Sequence, residues 1–430
     1  MRKVTDGTAA DVVADEGEGR PPQRERLASR AVDGGVRAVR AVLALLERKV
    51  RAGELGSLPV VLVLAVVWIT FQALNPNYLS PRNLSNLSVD IVGTGLIAVG
   101  IVFVLLLGEL DLSVGSISGL AAAVFAVLNV NNGVPEWLAV VVGVLTGTVT
   151  GTVQGFSIAR TRVPAFVVTL AGLLTWNGLM LAVLGDSGTV NLDENGLVAR
   201  LTSYYFTQDA VAYGVAAVAT AAVFLGADLD RRRRTAVGMP HRSSAAVAVR
   251  TAVTAVVAFG AAYLLNRFQG LPLALLIFLV VVAGLDILLR RTHYGRQVYA
   301  LGGSIEAARR ASLSVFRVQT AVFAISGTMA AVGGLFLASR ITSVSQSSGS
   351  GVLLVNAIAA AVIGGTSLFG GRGTTWSAVL GMLVIQSISS GMAITDTPPA
   401  VQFVITGGVL FAAVVIDALS RHSQEAHGRA

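Results

Sequence analysis

The chain has 430 residues, of which 54% are hydrophobic and only 13% charged, and its mean hydropathy is +0.72. Soluble proteins carry about 25% charged residues, so the composition excludes the soluble and disordered classes and predicts an all-α, polytopic membrane protein. Cysteine is absent, which excludes disulfides and thiolate metal sites. The net charge of +8 could suggest nucleic acid, but the basic residues are distributed as a membrane topology requires, and no nucleic-acid partner is predicted.

The N-terminal residues 1–57 are predicted to form a cytoplasmic tail. Residues 1–30 are rich in Gly, Asp, Glu and Arg and poor in large apolar side chains, which is typical of disorder. Residues 36–51 place apolar side chains on one helical stripe and arginines elsewhere, a pattern that suits a helix lying on an anionic lipid surface. A solvated helix that leads into the first span fits the same pattern. No cleaved signal is predicted, because no apolar run follows a short basic start.

Residues 58–420 contain successive apolar stretches, each close to the ~20 residues that a membrane-spanning helix needs. They predict a helical bundle of about twelve spans, at 58–74, 89–107, 112–130, 136–157, 164–184, 208–227, 245–265, 271–289, 316–338, 352–369, 374–394 and 400–419. The connections at 108–111 and 370–373 are tight enough for one stretch to be re-entrant. The predicted range is therefore about ten to fourteen spans.

Arginine and lysine residues are distributed unevenly between the two sets of connections. With the N-terminus inside, the cytoplasmic segments hold 27 of them and the outside loops hold 4, while Arg250 lies within a span. Basic residues concentrate on the cytoplasmic side of membrane proteins. The N-terminus and the C-terminal tail at 421–430 are therefore both predicted to be cytoplasmic.

Two carboxylates, Glu109 and Asp111, interrupt the apolar pattern within the sequence GELDLSVG at 108–115. An acidic group in hydrocarbon costs at least ~2.5 kcal/mol, so both must reach a cavity, a partner or the interface. One interpretation is a break between helices that lines a solute path, with Asp111 or Ser113 capping the next helix. The alternative is a plain interfacial turn with Asp111 as the N-cap.

The fourth predicted span carries a glycine at every fourth position, namely Gly143, Gly147, Gly151 and Gly155. Such a stripe lets a neighbouring helix approach closely, so helix packing is predicted, and a backbone-lined pore is the alternative.

Polar side chains also interrupt later spans, at Thr175, Trp176, Asn177, Asn356, Gln386 and Ser387. They would suit a path for an uncharged polyol, although hydrogen bonds between helices explain each of them equally well. The outside segments 185–207 and 339–351 are polar and could dock an external protein, or they could be plain solvated loops.

The cytoplasmic loop 290–317 contains the sequence GGSIEAARR at 302–310. Ser304 is predicted to cap a short helix, and Glu306 near its start suits the positive end of the helix dipole. Ala307, Ala308 and Ala311 are predicted to form a smooth face that seats in a cleft on another protein, with Arg309 and Arg310 as donors. A surface helix without a partner is the alternative.

Three of these segments resemble, in order, the signatures of ribose/xylose/arabinose-type ABC importer permeases. GELDLSVG (108–115) is similar to GGIDLSVG, GRQVYALGGSIEAARRASLSV (295–315) to GRxxYAxGGNxEAARLSGI, and AIAAAVIGGTSLFGGRG (357–373) to AIAAVVIGGTSLxGGRG. VTLAGLLTWNG (168–178) also resembles the segment that follows the start of the family's fifth span. The extra helix pair near 228–290 is most similar to the xylose-type branch.

The resemblance implies a homodimeric, non-catalytic permease of a bacterial cytoplasmic membrane, with no catalytic residue and no metal or cofactor of its own. ATP and Mg would be used by a separate cytoplasmic ATPase with two nucleotide-binding modules, and an external sugar-binding protein would deliver a monosaccharide. The implied coupling residues are Gly302, Gly303, Ser304, Glu306, Ala307, Ala308, Arg309, Arg310 and Ser312. The candidate path residues are Glu109, Asp111, Ser113, Trp176, Asn177 and Asn356.

The chain departs from the family pattern at Ser304, Leu313 and Asn177, where Asn, Gly and Arg are usual. Its two lysines, Lys3 and Lys49, do not stand in a Gly-Lys-Ser/Thr loop, so no ATPase site of its own is predicted. An ion-coupled secondary sugar transporter is the main alternative, but it would usually carry ionisable residues in midspan. A membrane-embedded enzyme is a second alternative, but the chain has no histidine within any predicted span.

Overall fold

The computed structural model describes residues 58–240, 243–349 and 351–426, which belong to one unit, Gly56–Ala430. The predicted tail at 1–57 and residues 427–430 lie outside the described residues. The helices are α1 (Leu58–Leu74), α2 (Pro81–Leu106), α3 (Val114–Ala126), α4 (Glu136–Thr161), α5 (Ala165–Leu184), α6 (Leu197–Ser203), α7 (Asp209–Ala236), α8 (Ser244–Asn266), α9 (Leu273–Arg291), α10 (His293–Gly303), α11 (Ile305–Arg310), α12 (Val315–Ile341), α13 (Gly351–Ile363), α14 (Thr375–Ile394) and α15 (Pro399–Ala426).

The prediction that the chain is built from long apolar helices is confirmed for the described residues. Within the described residues, nine helices are long and apolar enough to cross a bilayer. Shorter apolar helices at Pro59–Leu74, Gly351–Ile363 and Pro399–Ala412 coincide with three further predicted spans. The predicted stretches thus all fall on apolar helices.

Several helices begin or end away from the predicted span boundaries, and two of these differences have a local cause. Helix α2 begins at Pro81 rather than at 89, because Ser80 caps it: its hydroxyl accepts the Asn83 N–H at 3.3 Å. Helix α13 ends at Ile363 rather than at 369, because Gly365 has a φ of 100° that a helix cannot continue.

The centre of the fold is α2, which is apolar on all sides. From Ile91 to Leu106 every residue is buried, as expected for a helix surrounded by other helices. Helices α12, α14, α13 and α9 pack around it. Helix α12 also packs along α4 and against α3, so α2 and α12 together form the core of the described bundle.

The helices α7 and α8 form a separate hairpin with a small core of its own. Their buried side chains include Ala212, Ala216, Ala262 and Leu265. Most of the hairpin's remaining apolar side chains are exposed, as expected for helices that face lipid.

Two short antiparallel ribbons connect the helices and were not predicted. Strand β1 (Thr189–Asn191) pairs with β4 (Ser343–Ser345), and β2 (Tyr205–Phe206) pairs with β3 (Leu271–Pro272). The first ribbon joins the two polar segments 185–207 and 339–351, so these predicted outside loops form one continuous surface. Strands of two or three residues carry too little periodicity to be recognised in a sequence.

Candidate functional site

Three segments that are far apart in the sequence meet at one end of the bundle, next to the short helix α11. They are the end of α2 with Gly108, the end of α10 at Gly302, and the glycine pair Gly370–Gly371. The Gly371 N–H donates to the Leu106 carbonyl at 2.9 Å. We call this meeting point the motif junction, because each of the three sequence motifs contributes one of its segments.

Glycine allows the backbones to approach one another at the motif junction. A Cβ at Gly302 would collide with the Leu106 carbonyl oxygen and lie 2.9 Å from the Gly371 nitrogen. A Cβ at Gly370 would lie 2.7 Å from the Gly302 oxygen. Gly108, Gly370 and Gly371 also have φ values of 75°, 88° and 74°, which favour glycine. The neighbouring Gly303 has open space around it, so only some of the motif glycines are required by packing.

A tyrosine joins the second and third motifs. The Tyr299 hydroxyl on α10 donates to the Gly373 carbonyl at 2.8 Å. Burial raises the pKa of Tyr299, with a smaller opposing effect from Arg290, so the phenol keeps its proton and remains a donor. Tyr294 on the same helix also has a pKa raised by burial, but its hydroxyl has no partner among the described residues.

Helix α11 has the predicted N-terminus. The Ser304 hydroxyl accepts the Ala307 N–H at 3.2 Å, and Glu306 lies in the first turn. Ile305, Glu306, Ala307, Arg309 and Arg310 are exposed. The helix therefore presents an exposed surface of mixed charge.

One part of the predicted alanine face is wrong. Ala308 is only 3% exposed and packs against the core of the chain itself, so the exposed small residues are Ala307 and Ala311. Ala308 holds α11 on the bundle, and only the remaining face is free to seat in a partner.

The C-terminus of α11 is a Schellman motif. The Leu313 N–H donates to the Ala308 carbonyl and the Ser312 N–H to the Arg309 carbonyl, each at 3.0 Å. Ser312 takes the left-handed conformation with a φ of 60°, where glycine is the usual residue. Ser314 then caps α12, its hydroxyl accepting the Arg317 N–H at 3.4 Å. Only a short turn at 311–314 therefore separates α11 from α12.

The segment 108–113 is a break between α2 and α3, and its two carboxylates are bonded to protein partners. Asp111 is 2% exposed, and its carboxylate accepts the Ser113 N–H at 3.0 Å, the Ser113 hydroxyl at 2.6 Å and the Ser326 hydroxyl at 3.1 Å. Ser113 is the N-cap residue of α3, but neither side chain makes the predicted capping bond within the helix. The carboxylate instead joins the break to α12.

Glu109 makes a second connection to the same helix. The Gln319 side chain on α12 donates to one oxygen of its carboxylate. The other oxygen is buried and has no partner among the described residues. Both carboxylates of the first motif are thus bonded to α12, which directly follows α11.

The other candidate path residues lie on α5 and α13. Trp176 is half-buried on α5, Asn177 is exposed on the same helix, and Asn356 is half-buried on α13. Of the six candidates, Glu109, Asp111 and Ser113 lie within the break itself. Asn177 is an exposed amide on an apolar helix, which is costly against lipid and suits a face that meets protein or water.

The glycine stripe of α4 faces other helices. A Cβ at Gly151 would collide with the Phe323 carbonyl oxygen, and Gly147 and Gly155 are similarly close to α12. Gly143 lies against α3, 3.0 Å from the Ala121 oxygen. These are the contacts that close helix packing requires.

A polar cleft lies near the first ribbon, with a cavity volume of about 500 Å³. It lies between the start of α2, the helix α6 and the end of α12, and its lining includes Arg82, Glu194, Gln269 and Arg340. At its edge Arg340 forms an ion pair with Asp90 at 2.8 Å.

Comparison with known proteins now identifies the class of the chain. A family model described as the permease component of branched-chain amino acid transport systems matches residues 83–414. The chain belongs to this permease family. The match spans the motif junction and both carboxylates, and the family consists of membrane components, which agrees with the prediction of a non-catalytic subunit.

The curated relatives that match the chain include permeases named for particular sugars. The xylose transport system permease protein XylH of Escherichia coli K12 is 37% identical over 84% of this chain and 90% of its own length. XylH of Haemophilus influenzae is 35% identical over 86% of this chain and 98% of its own length. The ribose import permease protein RbsC of Bacillus subtilis 168 is 32% identical over 85% of this chain and 94% of its own length. No solved structure matches the chain.

Several residues of the site were missed by sequence reasoning. Tyr299, Gly370 and Gly371 stand inside the recognised motifs, but nothing in a sequence shows that those motifs touch. Gln154 and Gln319 are single polar residues in apolar helices. A search for isolated amides on membrane spans would have found them, because such groups need a partner.

Proposed function

We propose that the chain is the membrane-spanning permease of an ATP-driven importer for a monosaccharide, with a xylose-like pentose as the favoured substrate. The observation that carries the proposal is the motif junction with α11 beside it: an exposed helix of mixed charge lies beside three interlocked backbone segments and continues into α12. The sugar is inferred from the relatives, whose printed names include xylose and ribose.

The proposed topology has about twelve spans with both termini in the cytoplasm of a bacterium. Its support is the bias of basic residues, 27 inside against 4 outside, and the apolar helices that coincide with each predicted stretch. On this topology α11 and the motif junction face the cytoplasm, while the ribbon of β1 and β4 faces outward.

The proposed partners are a cytoplasmic ATPase with two nucleotide-binding modules, an external sugar-binding protein and a second copy of the chain. The exposed side chains of α11 suit a cleft on the ATPase. The exposed Asn177 on α5 suits a protein or water interface, as expected where two copies enclose a path. ATP and Mg would be bound by the ATPase alone.

The proposed mechanism is alternating access. Closure of the ATPase displaces α11, and the short turn at 311–314 passes the displacement to α12. Helix α12 holds the Asp111 and Glu109 carboxylates through Ser326 and Gln319, so the break at 108–113 moves with it. The path then opens alternately outward and inward, and the permease performs no covalent chemistry.

Uptake by proteoliposomes that contain the permease, its ATPase and its binding protein tests the proposal. Glu306→Ala and Arg309→Ala should each lower ATP-driven uptake by about fivefold or more, because each removes a charge-assisted contact with the ATPase. Arg233→Ala, an exposed arginine at the end of α7, is the matched control and should leave uptake unchanged.

Normal uptake by both α11 variants would overturn the coupling role of this helix. The alternative of an ion-coupled transporter makes the opposite prediction, because uptake would then follow an ion gradient with the ATPase absent. Competition of labelled xylose by unlabelled ribose and arabinose in the same liposomes would identify the sugar.

A further inference from the structure

Two buried N–H donors in the transmembrane bundle lack an acceptor. Gln154 on α4 is only 2% exposed, and its side-chain nitrogen has no hydrogen-bond partner among the described residues. The same holds for the indole nitrogen of Trp176 on α5. An unsatisfied buried donor is unfavourable, and the hydrocarbon of a bilayer offers it no acceptor.

Both donors lie next to Gly172. Gly172 lies one turn before Trp176 on α5, and helical side chains lean towards the N-terminus, so the indole extends over Gly172. A Cβ at Gly172 would collide with the Gln154 side-chain nitrogen and would lie 2.9 Å from the indole nitrogen. The absence of a side chain at Gly172 is what admits both groups.

The side-chain oxygen of Gln154 also lacks a suitable hydrogen-bond partner. The Ser113 hydroxyl lies 2.6 Å from a carboxylate oxygen of Asp111 and 3.0 Å from the Gln154 Oε1 atom. A hydroxyl has one proton, and the shorter bond to the carboxylate takes it. Oε1 of Gln154 then faces an oxygen that has no hydrogen to donate, while its nitrogen faces another donor.

Rotation of the amide by 180° removes both mismatches, because its two ends have nearly the same shape. The nitrogen would then donate to the Ser113 oxygen, and Oε1 would face the indole N–H. We propose that Gln154 is a positioning residue that holds Trp176 to the Asp111 carboxylate through Ser113. The chain of bonds runs from Trp176 to Gln154, Ser113 and Asp111, where the Ser326 hydroxyl of α12 joins it.

This chain of bonds connects α5 with α12. It crosses four elements of the bundle: α5, α4, the break before α3, and α12. The Thr169 hydroxyl provides a separate bond from α5 to the same break, donating to the Leu110 carbonyl at 3.2 Å. The role of the chain of bonds from Trp176 to Ser326 in transport rests on the proposed function, in which α12 transmits the movement of α11. The position of Trp176 is then set by α12.

Trp176 can be observed by itself. Replacing Trp68, Trp137 and Trp376 by Phe leaves it as the single tryptophan. The indole Raman band of this detergent-solubilised protein, with Gln154 in place, should report a hydrogen-bonded N–H. A band typical of a free N–H would overturn the proposal.

Gln154→Met keeps the length of the side chain but can neither donate nor accept at its end. It should convert the Trp176 band to that of a free N–H and shift the emission to shorter wavelength. Thr169→Val is the matched control, because it removes the separate bond from α5 to the Leu110 carbonyl, and it should leave both signals unchanged. A band that stays hydrogen-bonded in Gln154→Met would show another acceptor and would also overturn the proposal. These readouts need no ATPase, so they decide the matter even if the proposed import fails.

A double-mutant cycle in ATP-driven uptake tests the functional consequence. Gln154→Met and Trp176→Phe should each lower uptake by about fivefold, the equivalent of one hydrogen bond. The double variant should be no worse than either single variant, because both remove the same bond. Effects that multiply would show that the two residues act independently and would contradict the proposed positioning role.

Discussion

At the scale of single residues, Ser312 is strained. It has a φ of 60° in the Schellman motif that ends α11, and a non-glycine residue in this conformation costs about 1 kcal/mol. Ser312→Gly should therefore slow hydrogen exchange of the α11 amides. Ser314→Ala, two residues later, removes the cap of α12 instead and should speed exchange at its start. Unchanged exchange in Ser312→Gly would contradict the strain.

Tyr299 and Tyr294 form a natural pair for measuring the bond between the second and third motifs. Tyr299→Phe leaves the Gly373 carbonyl without its donor and should destabilise the protein by about 1 kcal/mol in thermal unfolding. Tyr294→Phe removes a hydroxyl with no partner among the described residues and should be neutral or stabilising. Equal effects of the two variants would show that the Tyr299 bond contributes nothing.

The pKa of Tyr299 sets the pH range of this bond. Burial raises the pKa in the folded protein, so the contribution of the bond is fully present below the ordinary tyrosine pKa, about 10. It is lost only as the pH rises through the higher folded-state value. The difference in stability between Tyr299→Phe and the unaltered protein should therefore stay constant from neutral pH to about 9.

At the scale of the elements, the motif junction depends on the absence of a single side chain. Gly302→Ala places a methyl group against the Leu106 carbonyl, which forces α10 away from α2 and should cost about 1–3 kcal/mol. ATP-driven uptake should fall with it, since α10 precedes α11. Gly303→Ala adds the same methyl group to the next residue, where space is open, and should retain uptake. Loss of uptake in both variants would show that flexibility, rather than packing, requires these glycines.

The elements could largely be predicted from the sequence, and their ends could not. Apolar length decides where a helix spans, and each predicted stretch falls on an apolar helix. The start of α2 was missed because its first two turns carry Arg82, Asn83 and Asn86, which hydropathy excludes. The structure satisfies such groups through tertiary contacts: Asn83 accepts the Ser390 hydroxyl at 2.9 Å, and Asp90, further along the helix, pairs with Arg340. A local pattern contains no information about those distant partners.

The same limit applies to the candidate site. The cap at Ser304 and the position of Glu306 follow from neighbours in the sequence, and both were predicted. The burial of Ala308 and of Asp111 depends on helices that lie far along the chain, so the sequence placed Ala308 wrongly on the exposed face and left the surroundings of Asp111 open. Likewise the meeting of Leu106, Gly302 and Gly371 is a property of the fold that no single motif reveals.

At the scale of the whole molecule, sidedness determines how all the parts are used. If both termini are cytoplasmic, α11 faces the ATPase, and the ribbon of β1 and β4 with the polar cleft faces the binding protein. If the orientation were reversed, neither surface could meet its proposed partner. The distribution of 27 basic residues against 4 favours the first arrangement.

The natural absence of cysteine makes this orientation directly measurable, because a single introduced cysteine is the only thiol in the chain. Arg200→Cys lies in an exposed position on α6 and Arg233→Cys in an exposed position at the far end of α7. In intact cells, a membrane-impermeant maleimide should label Arg200→Cys and should label Arg233→Cys only after the membrane is permeabilised. Both sites replace an exposed arginine, so local chemistry is matched and access alone differs. Labelling of Arg233→Cys in intact cells would reverse the topology and separate α11 from any cytoplasmic ATPase.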